Sequence, residues 1–169
     1  MTDEAFSRAA RTYGDTVYRV AYHALGSPHD AEDVMQTVLL RLYECKKDFE
    51  SEEHMKRWLL RVAVNESRHV ARSFWRRAAV PLEERQETAV PEDPARTEVL
   101  EAVMALEPKY RLAVYLYYYE GLSVAETAAA MKANVSTVQT WLLRARARLR
   151  KELTEEKEES VYVRPKTVP

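Results

Sequence analysis

Apolar residues recur at helical spacing along the first part of the chain, and residues that favour helix ends lie between the apolar runs. A first helix is predicted over residues 3–25 and ends at Gly26, because glycine readily adopts the left-handed conformation that terminates helices. Its apolar face is formed by Phe6, Ala10, Tyr13, Val17, Ala21 and Leu25. Ser27 and Pro28 predict the cap and first turn of a second amphipathic helix, which reaches about Lys47.

A third helix, predicted over residues 55–77, carries a row of basic and amide side chains opposite its apolar face. The apolar face is formed by Leu59, Val62, Ala63, Val70 and Phe74, and the polar row by Arg61, Asn65, Arg68, Arg72 and Arg76. Like charges one helical turn apart repel each other, so the row indicates that the helix binds an external anion. Trp75 on the same side offers a ring on which an unpaired nucleic-acid base can stack. The alternative is a solvated arginine face with Trp75 at the edge of the domain.

Prolines and acidic residues interrupt the periodicity over residues 79–96, which predicts a flexible linker. Beyond it, helices are predicted over residues 97–106 and from Pro108 to Gly121. The apolar residues of the first are Val99, Leu100, Val103 and Leu106, and the second contributes Tyr115, Tyr117, Tyr118 and Tyr119 as core residues. Residues 154–169 are predicted to be a disordered tail. The predicted fold is therefore all-α, with two small helical domains joined by a flexible linker.

Residues 123–151 predict two helices joined by a tight turn, in the pattern of a DNA-binding helix-turn-helix. Ser123 and Glu126 form a capping box, in which each residue accepts a hydrogen bond from a backbone amide of the other. The apolar positions of the first helix are Ala125, Ala128 and Met131, and those of the second are Val135, Val138, Leu142, Ala145 and Leu149. Ala128 is small, which allows two steeply crossing helices to approach closely.

Polar and basic side chains of the second helix lie away from its buried stripe. They are Ser136, Thr137, Gln139, Thr140, Arg144, Arg146 and Arg148. A major groove admits such a helix, and arginine side chains suit contact with phosphates. The alternative is an amphipathic helical hairpin within a bundle, with solvated arginines.

Composition narrows the function classes further. The net charge of −1 argues against a general coat of positive charge, so the basic surface is local. The single Cys45 cannot form an internal disulfide, and no apolar run is long enough for a membrane span, so a cytoplasmic protein is expected. The four histidines lack metal-ligand spacing, and no glycine-rich phosphate loop is present. We therefore expect no metal, no cofactor, no small-molecule substrate and no enzymatic activity.

Three stretches together resemble the extracytoplasmic-function (group IV) sigma factors of the sigma-70 family, which are two-domain promoter-specificity subunits of bacterial RNA polymerase. They are DAEDVMQTVLLRLYE from Asp30, WLLRVAVNESRHVARSFWRR from Trp58, and LEPKYRLAVYLYYYEGLSVAETAAAMKANVSTVQTWLLRARARLRKEL from Leu106. The elements A-E-D-x-x-Q, W-L-x-x-x-A-x-N and T-V-x-x-x-L-x-R-A-R are weak singly and specific in this order. The resemblance covers nearly everything from residue 3 to residue 153.

The resemblance implies that residues 1–78 correspond to region 2, which binds core polymerase and the −10 promoter element. The polymerase contacts are then expected from Asp33, Gln36 and Leu40. The −10 contacts are expected from Phe49, Arg61, Asn65, Arg68, His69, Arg72, Trp75, Arg76 and Arg77. Among these, Asn65, Phe49 and His69 are expected to form a pocket for a base extruded from the opened strand. The alternative is that Asn65 satisfies a local backbone group and Phe49 plugs the core.

Residues 97–153 correspond by the same resemblance to region 4, whose helix from Ser136 enters the major groove of the −35 element. An anti-sigma factor is a further expected partner, because family members are commonly held inactive by one. Some residues depart from the family pattern: Lys132 and Ser136 in place of glycines, and Gln139 and Trp141 in place of basic residues. A non-glycine residue in a left-handed turn costs about 1 kcal/mol, so the turn is either strained or shaped differently.

Two other functions fit parts of the pattern. A helix-turn-helix regulator would bind DNA without acting as a polymerase subunit, and an interaction module would use its basic helix to bind an acidic protein. Only a sigma factor makes core polymerase start transcription at a new promoter, so that activity distinguishes the three.

Overall fold

A computed structural model describes the backbone of residues 1–77 and 94–162, and side chains over residues 1–73 and 98–155. The described residues form helices and no strand, which confirms the all-α prediction. Most of the linker predicted over residues 79–96 lies outside the described residues, although its last three residues already belong to a helix.

Three helices form an N-terminal group: α1 (Asp3–Leu25), α2 (Pro28–Glu44) and α3 (Glu52–Arg77). Gly26 ends α1 with φ of 70°, and Ser27 caps α2 by accepting a hydrogen bond from the amide of Asp30 at 3.3 Å. The sequence predicted both the C-terminal end of α1 at Gly26 and the start of α2 after Ser27. The second helix stops at Glu44 rather than near Lys47, and α3 begins three residues earlier than expected.

The N-terminal group buries the predicted apolar faces, with Val17, Val34 and Val38 almost completely enclosed. Helix α3 is buried on more than one side. Leu59 and Ala63 lie in the core as predicted, and Leu60 and Val64 are buried as well, although the pattern placed neither on the apolar face. A helix from the C-terminal part of the chain must therefore cover the second side of α3.

The C-terminal group contains α4 (Pro94–Ala105), α5 (Pro108–Val114), a π-helical turn (Tyr115–Tyr119), α6 (Val124–Met131) and α7 (Val135–Tyr162). The long helix predicted from Pro108 to Gly121 is thus broken by a wider turn. Because this turn changes the angular spacing of its side chains, Tyr118 and Tyr119 are exposed rather than in the core, whereas Tyr115 is buried. Val99 is also exposed, contrary to the predicted stripe.

Helix α7 continues well beyond the helix-turn-helix. The prediction of a disordered tail from residue 154 was wrong as far as Tyr162, since the helix runs to that residue. Residues 163–169, which belong to the same predicted tail, lie outside the described residues.

The two groups lie against each other and share a continuous apolar core. Helix α5 and the π-helical turn pack on α1, and α6 packs on α3, which explains the second buried side of α3. The sequence predicted two domains but gave no sign of this contact, because its partners lie far apart along the chain.

Candidate nucleic-acid and polymerase interface

The helix-turn-helix forms as its capping signal predicts. The amide of Glu126 donates to Ser123 Oγ at 3.1 Å, and the amide of Ser123 donates to Glu126 Oε2 at 2.9 Å. The second of these bonds, to the ionised carboxylate, holds the pKa of Glu126 below its usual value. Ala128 and Met131 are buried as predicted, but Ala125 is exposed and Thr127 is enclosed in its place.

Lys132 takes the left-handed conformation at the end of α6, with φ of 52° and ψ of 45°. The departure from the family's glycine is therefore accommodated by backbone strain and not by a differently shaped turn. The amide of Ala133 donates to the carbonyl of Ala128 at 3.0 Å, which closes the turn and satisfies a free carbonyl at the helix end.

Helix α7 buries Val138, Leu142 and Ala145 against the rest of the group, as its spacing predicts, while Val135 at its first turn stays largely exposed. The opposite face points to solvent. Its exposed side chains are Ser136, Gln139, Thr140, Leu143, Arg144, Arg146 and Arg148, with Thr137 half-buried. Most of this face is open to solvent, and only its arginines near the C-terminal end contact other described elements.

The three arginines of α7 differ in their surroundings. Arg146 donates to the hydroxyl of Tyr118 at 3.0 Å, and Arg148 lies 3.7 Å from a carboxylate oxygen of Glu107. Arg144 is exposed and forms no ion pair with any residue whose side chain is described. Of the three, Arg144 is therefore the one most available to a phosphate.

The basic face of α3 is only partly open. Arg61, His69 and Arg72 are exposed, and Asn65 is half-buried. Arg68 is also half-buried, because its guanidinium donates a hydrogen bond to the backbone carbonyl of Met131 at the end of α6. Arg68 thus has an acceptor within the chain, and its expected contact with the −10 element stays a prediction.

Phe49 packs edge-on against Trp58 and His54, with ring centroids 5.5 Å and 5.6 Å apart. Asn65 lies two helical turns beyond Trp58, about 10 Å along the axis of α3. The pocket expected from Phe49, Asn65 and His69 thus stays a prediction. Trp75, Arg76 and Arg77 lie on the last turn of α3, outside the described side chains.

The exposed face of α2 carries the residues expected to meet polymerase. Asp33, Gln36 and Leu40 are exposed, and 57% of the Leu40 side chain is accessible to solvent. Gln36 also lines an open groove between α1 and α2, together with Leu39 and Tyr18. An exposed leucine beside such a groove suits contact with another protein better than contact with DNA.

Two buried polar contacts escaped the sequence analysis. Glu66, the single acid in the basic stretch, pairs with Arg41 of α2 at 2.9 Å. Arg111 of α5 is buried and donates hydrogen bonds to the carbonyls of His23 and Ala24 at the end of α1. Arg111 has no local sequence signal, because backbone carbonyls accept its hydrogen bonds and two of them, from His23 and Ala24, lie far away in the chain.

Comparison with known proteins agrees with this geometry. Residues 9–78 match the family described as Sigma-70 region 2, and residues 96–149 match Sigma-70, region 4. The chain is 35% identical to the RNA polymerase sigma-E factor of Streptomyces coelicolor over 157 residues, which cover 88% of this chain and 85% of that protein. The chain belongs to the sigma-70 family, as an extracytoplasmic-function sigma factor.

Other relatives place this sigma factor in the same branch. The extracytoplasmic-function sigma factor SigW of Bacillus subtilis is 28% identical over 89% of each chain. The fold is shared by the sigma factor RpoE of Bartonella quintana, solved in complex with the anti-sigma factor NepR. That structure covers 89% of this chain and 98% of its own, with a TM-score of 0.72 and 22% identity.

Within the described residues of this sigma factor, no group of three or more histidine, cysteine, aspartate or glutamate side chains is placed to hold a metal ion. None of the helices described is long and apolar enough to cross a membrane.

Proposed function

We propose that this sigma factor directs core RNA polymerase to its promoters through two DNA contacts, one for each helix group. Helix α7 enters the major groove of the −35 element, and the basic face of α3 holds the −10 element as it opens. The observation that carries the proposal is the combination of a capped helix-turn-helix with an uncovered polar face on α7.

The −35 contact rests on the exposed face of α7. Gln139 carries an amide that can donate to and accept from a base edge, which is the chemistry of direct readout in the major groove. Arg144 lies five residues further along α7, exposed, where it can contact a phosphate. Reading a base and positioning the helix are therefore assigned to different side chains.

The −10 contact rests on the exposed cations of α3. Arg61 and Arg72 are free to hold a phosphate backbone, and Asn65 lies between them on the helix. A strand held by the two arginines passes over the Asn65 amide, which then binds a base that has left the stack. Phe49 and His69 complete the proposed pocket once the strand is bound.

The polymerase contact is assigned to the outer face of α2. An Asp33→Arg variant should no longer co-purify with core polymerase, because a positive charge would then face a polymerase surface that complements the Asp33 carboxylate. Its thermal unfolding should change little, since Asp33 is exposed and its carboxylate pairs with the exposed His29, at 3.6 Å. A variant that unfolds much earlier yet still binds core would show that Asp33 serves the helix alone.

The test of the whole proposal is transcription from defined components. The purified chain is added to core polymerase on genomic DNA, and the transcript starts are mapped. New starts that share upstream sequence elements are expected, and a matched chain with Gln139, Arg144 and Asn65 replaced by alanine should produce none. Sequence-specific DNA binding with no effect on transcript starts would favour a regulator that works without polymerase.

An anti-sigma factor is the second proposed partner, because the structurally similar sigma factor from Bartonella quintana was solved bound to one. We place the protein in the cytoplasm, where core polymerase and promoter DNA are found. The chain itself contributes binding and strand separation, and polymerase carries out the chemistry.

A further inference from the structure

Two neighbouring tyrosines of the π-helical turn are exposed, and the hydroxyl of each accepts a hydrogen bond from a different arginine. Tyr118, which is 54% exposed, accepts from Nη1 of Arg146 on α7 at 3.0 Å. Tyr119 accepts from Arg19 on α1. The first of these bonds connects the π-helical turn to the basic end of the helix that is proposed to enter the major groove.

The ring of Tyr118 is itself held in place by its neighbour. Tyr117 is half-buried against the core, and the two rings meet edge-on with 4.9 Å between centroids and 90° between planes. A phenol ring that is packed in this way has little freedom to rotate, so its hydroxyl keeps one position. Turns of π-helix are rare and often occur at functional sites. Tyr118 therefore offers Arg146 a fixed acceptor at such a turn.

Arg146 lies on the same face of α7 as Gln139, the residue proposed to read a base. Gln139, Leu143 and Arg146 are exposed and follow one another at spacings of four and three residues, which places them in one row. Arg146 lies about 10 Å beyond Gln139 along the helix axis, because each residue rises by about 1.5 Å. The major groove is about 12 Å wide. A helix with Gln139 over the base edges therefore carries Arg146 to the edge of the groove, where the phosphates lie.

A tyrosine hydroxyl orients a guanidinium without neutralising its charge. Arginine has several N–H donors, and Tyr118 accepts from a single nitrogen of Arg146, so the other donors stay available to a phosphate. Arg148 differs, because the nearby carboxylate of Glu107 offsets part of its charge. A long side chain loses rotamer freedom when it binds DNA, and a hydrogen bond formed beforehand reduces that loss. The Tyr118 hydroxyl thus favours phosphate binding by Arg146.

We propose that Tyr118 is a positioning residue for the −35 contact, where it holds Arg146 in place for a phosphate at the edge of the major groove. The proposal rests on the proposed function, since that function assigns α7 to the −35 element. Tyr118 acts through Arg146 and needs no DNA contact of its own. Without the hydroxyl, Arg146 keeps its charge but samples other rotamers, so DNA binding weakens and is not abolished.

The experiment is a double-mutant cycle on the full chain, with Tyr118→Phe, Arg146→Ala and the two combined. Tyr118→Phe keeps the ring that packs on Tyr117 and removes only the hydroxyl. Tyr119→Phe is the matched control, because it removes the neighbouring exposed hydroxyl, which accepts from Arg19 instead. All affinities are measured at a temperature at which circular dichroism shows every variant to be folded.

Fluorescence anisotropy gives the affinity of each variant for a labelled DNA duplex that the parent chain has selected from a randomised pool. The titrations are repeated at several salt concentrations, because the slope of log affinity against log salt concentration depends on the number of phosphates contacted. A smaller fraction of folded protein would lower the apparent affinity equally at every salt concentration. The slope therefore separates a lost phosphate contact from structural damage.

Arg146→Ala should weaken binding about tenfold, since it removes a hydrogen bond between charged groups, and should reduce the salt slope by about one. Tyr118→Phe should weaken binding about threefold, the effect of one neutral hydrogen bond, and should reduce the slope by less than one. Added to Arg146→Ala, Tyr118→Phe should have no further effect, because the guanidinium that the hydroxyl positions is gone. Tyr119→Phe should bind like the parent chain.

An unchanged affinity or salt slope in Tyr118→Phe would overturn the proposal, as would an equal loss of affinity in Tyr119→Phe. Tighter binding by Tyr118→Phe would mean that the hydroxyl withholds Arg146 from DNA. An equal loss with and without Arg146 would mean that Tyr118 contacts DNA directly, which also contradicts a positioning role. The proposed function fails by a different result, namely the absence of new transcript starts when the parent chain is added to core polymerase. The two failures are therefore distinguishable.

Discussion

Replacing Lys132 with glycine removes a Cβ from the turn between α6 and α7. The backbone conformation at this position is one that glycine adopts easily. Lys132 has φ of 52° and ψ of 45°, and among the described residues it is the one non-glycine residue with positive φ. Its side chain is exposed, so the substitution removes little packing. The expected effect is a more stable helix-turn-helix of unchanged shape.

The size of the effect follows from the backbone. A left-handed conformation costs an L-residue about 1 to 2 kcal/mol, and glycine avoids this cost. Glycine also loses more backbone entropy on folding, by about 0.4 to 1 kcal/mol. The net gain is then about 0.5 to 1 kcal/mol. For a chain of this length, 1 kcal/mol shifts the unfolding temperature by about 2 to 4 °C.

Lys132→Ala is the matched comparison, because it removes the same charge from the end of α6 but keeps the Cβ. In thermal unfolding followed by circular dichroism, Lys132→Gly should unfold about 2 °C above Lys132→Ala. Affinity for a −35 duplex should be equal in the two variants if the turn keeps its shape. A glycine variant that unfolds at or below the alanine variant would refute the strain argument.

Three further predictions follow from the geometry. Burial lowers the pKa of His23 below 6.5, so the unfolded chain binds this proton at a higher pH than the folded chain does. The free energy of unfolding should therefore fall as pH drops from about 6.5 towards the folded pKa, and it should fall less in His23→Phe. Urea titrations at several pH values measure it. Gly26→Ala should destabilise more than Gly121→Ala in thermal melts, because both residues have φ near 70° but only the first Cβ meets a guanidinium. Replacing Gln139 should change the preferred −35 sequence in a binding selection, whereas Arg144→Ala should weaken all sequences alike.

Local signals predicted the helices well because helix ends are set by nearby residues. Ser27 with Pro28 and Gly26 with its positive φ define the ends of α1 and α2, and Ser123 with Glu126 begins α6. The same signals located the exposed face of α7. Burial followed from spacing for Val138, Leu142 and Ala145 of α7.

Spacing failed where a helix has two partners or an altered pitch. Leu60 is buried because α6 covers a second side of α3, and the residues near Leu60 in the sequence give no indication of this contact. Tyr119 is exposed because the π-helical turn rotates it away from the core. Thr127 is buried in place of Ala125 because α6 contacts both α3 and α7, which shifts its buried face.

The row of like charges on α3 predicted acceptors outside the helix, and for Arg68 an acceptor lies within the chain, at the carbonyl of Met131. Arg57, which is not part of that row, pairs with Glu126. Lys56 and Glu120 also carry opposite charges and meet in the fold. A single sequence contains many such pairs, and only the fold shows which ones meet.

The two proposed DNA-binding faces differ in how they can be reached, and the difference implies an order of events. The polar face of α7 is exposed, whereas Arg68 on α3 donates a hydrogen bond to the carbonyl of Met131 at the end of α6. Linkage is reciprocal: if polymerase binding favours release of Arg68, polymerase raises the affinity for the −10 strand, and the strand raises the affinity for polymerase by the same factor. Strand capture would then be confined to polymerase that already carries this sigma factor.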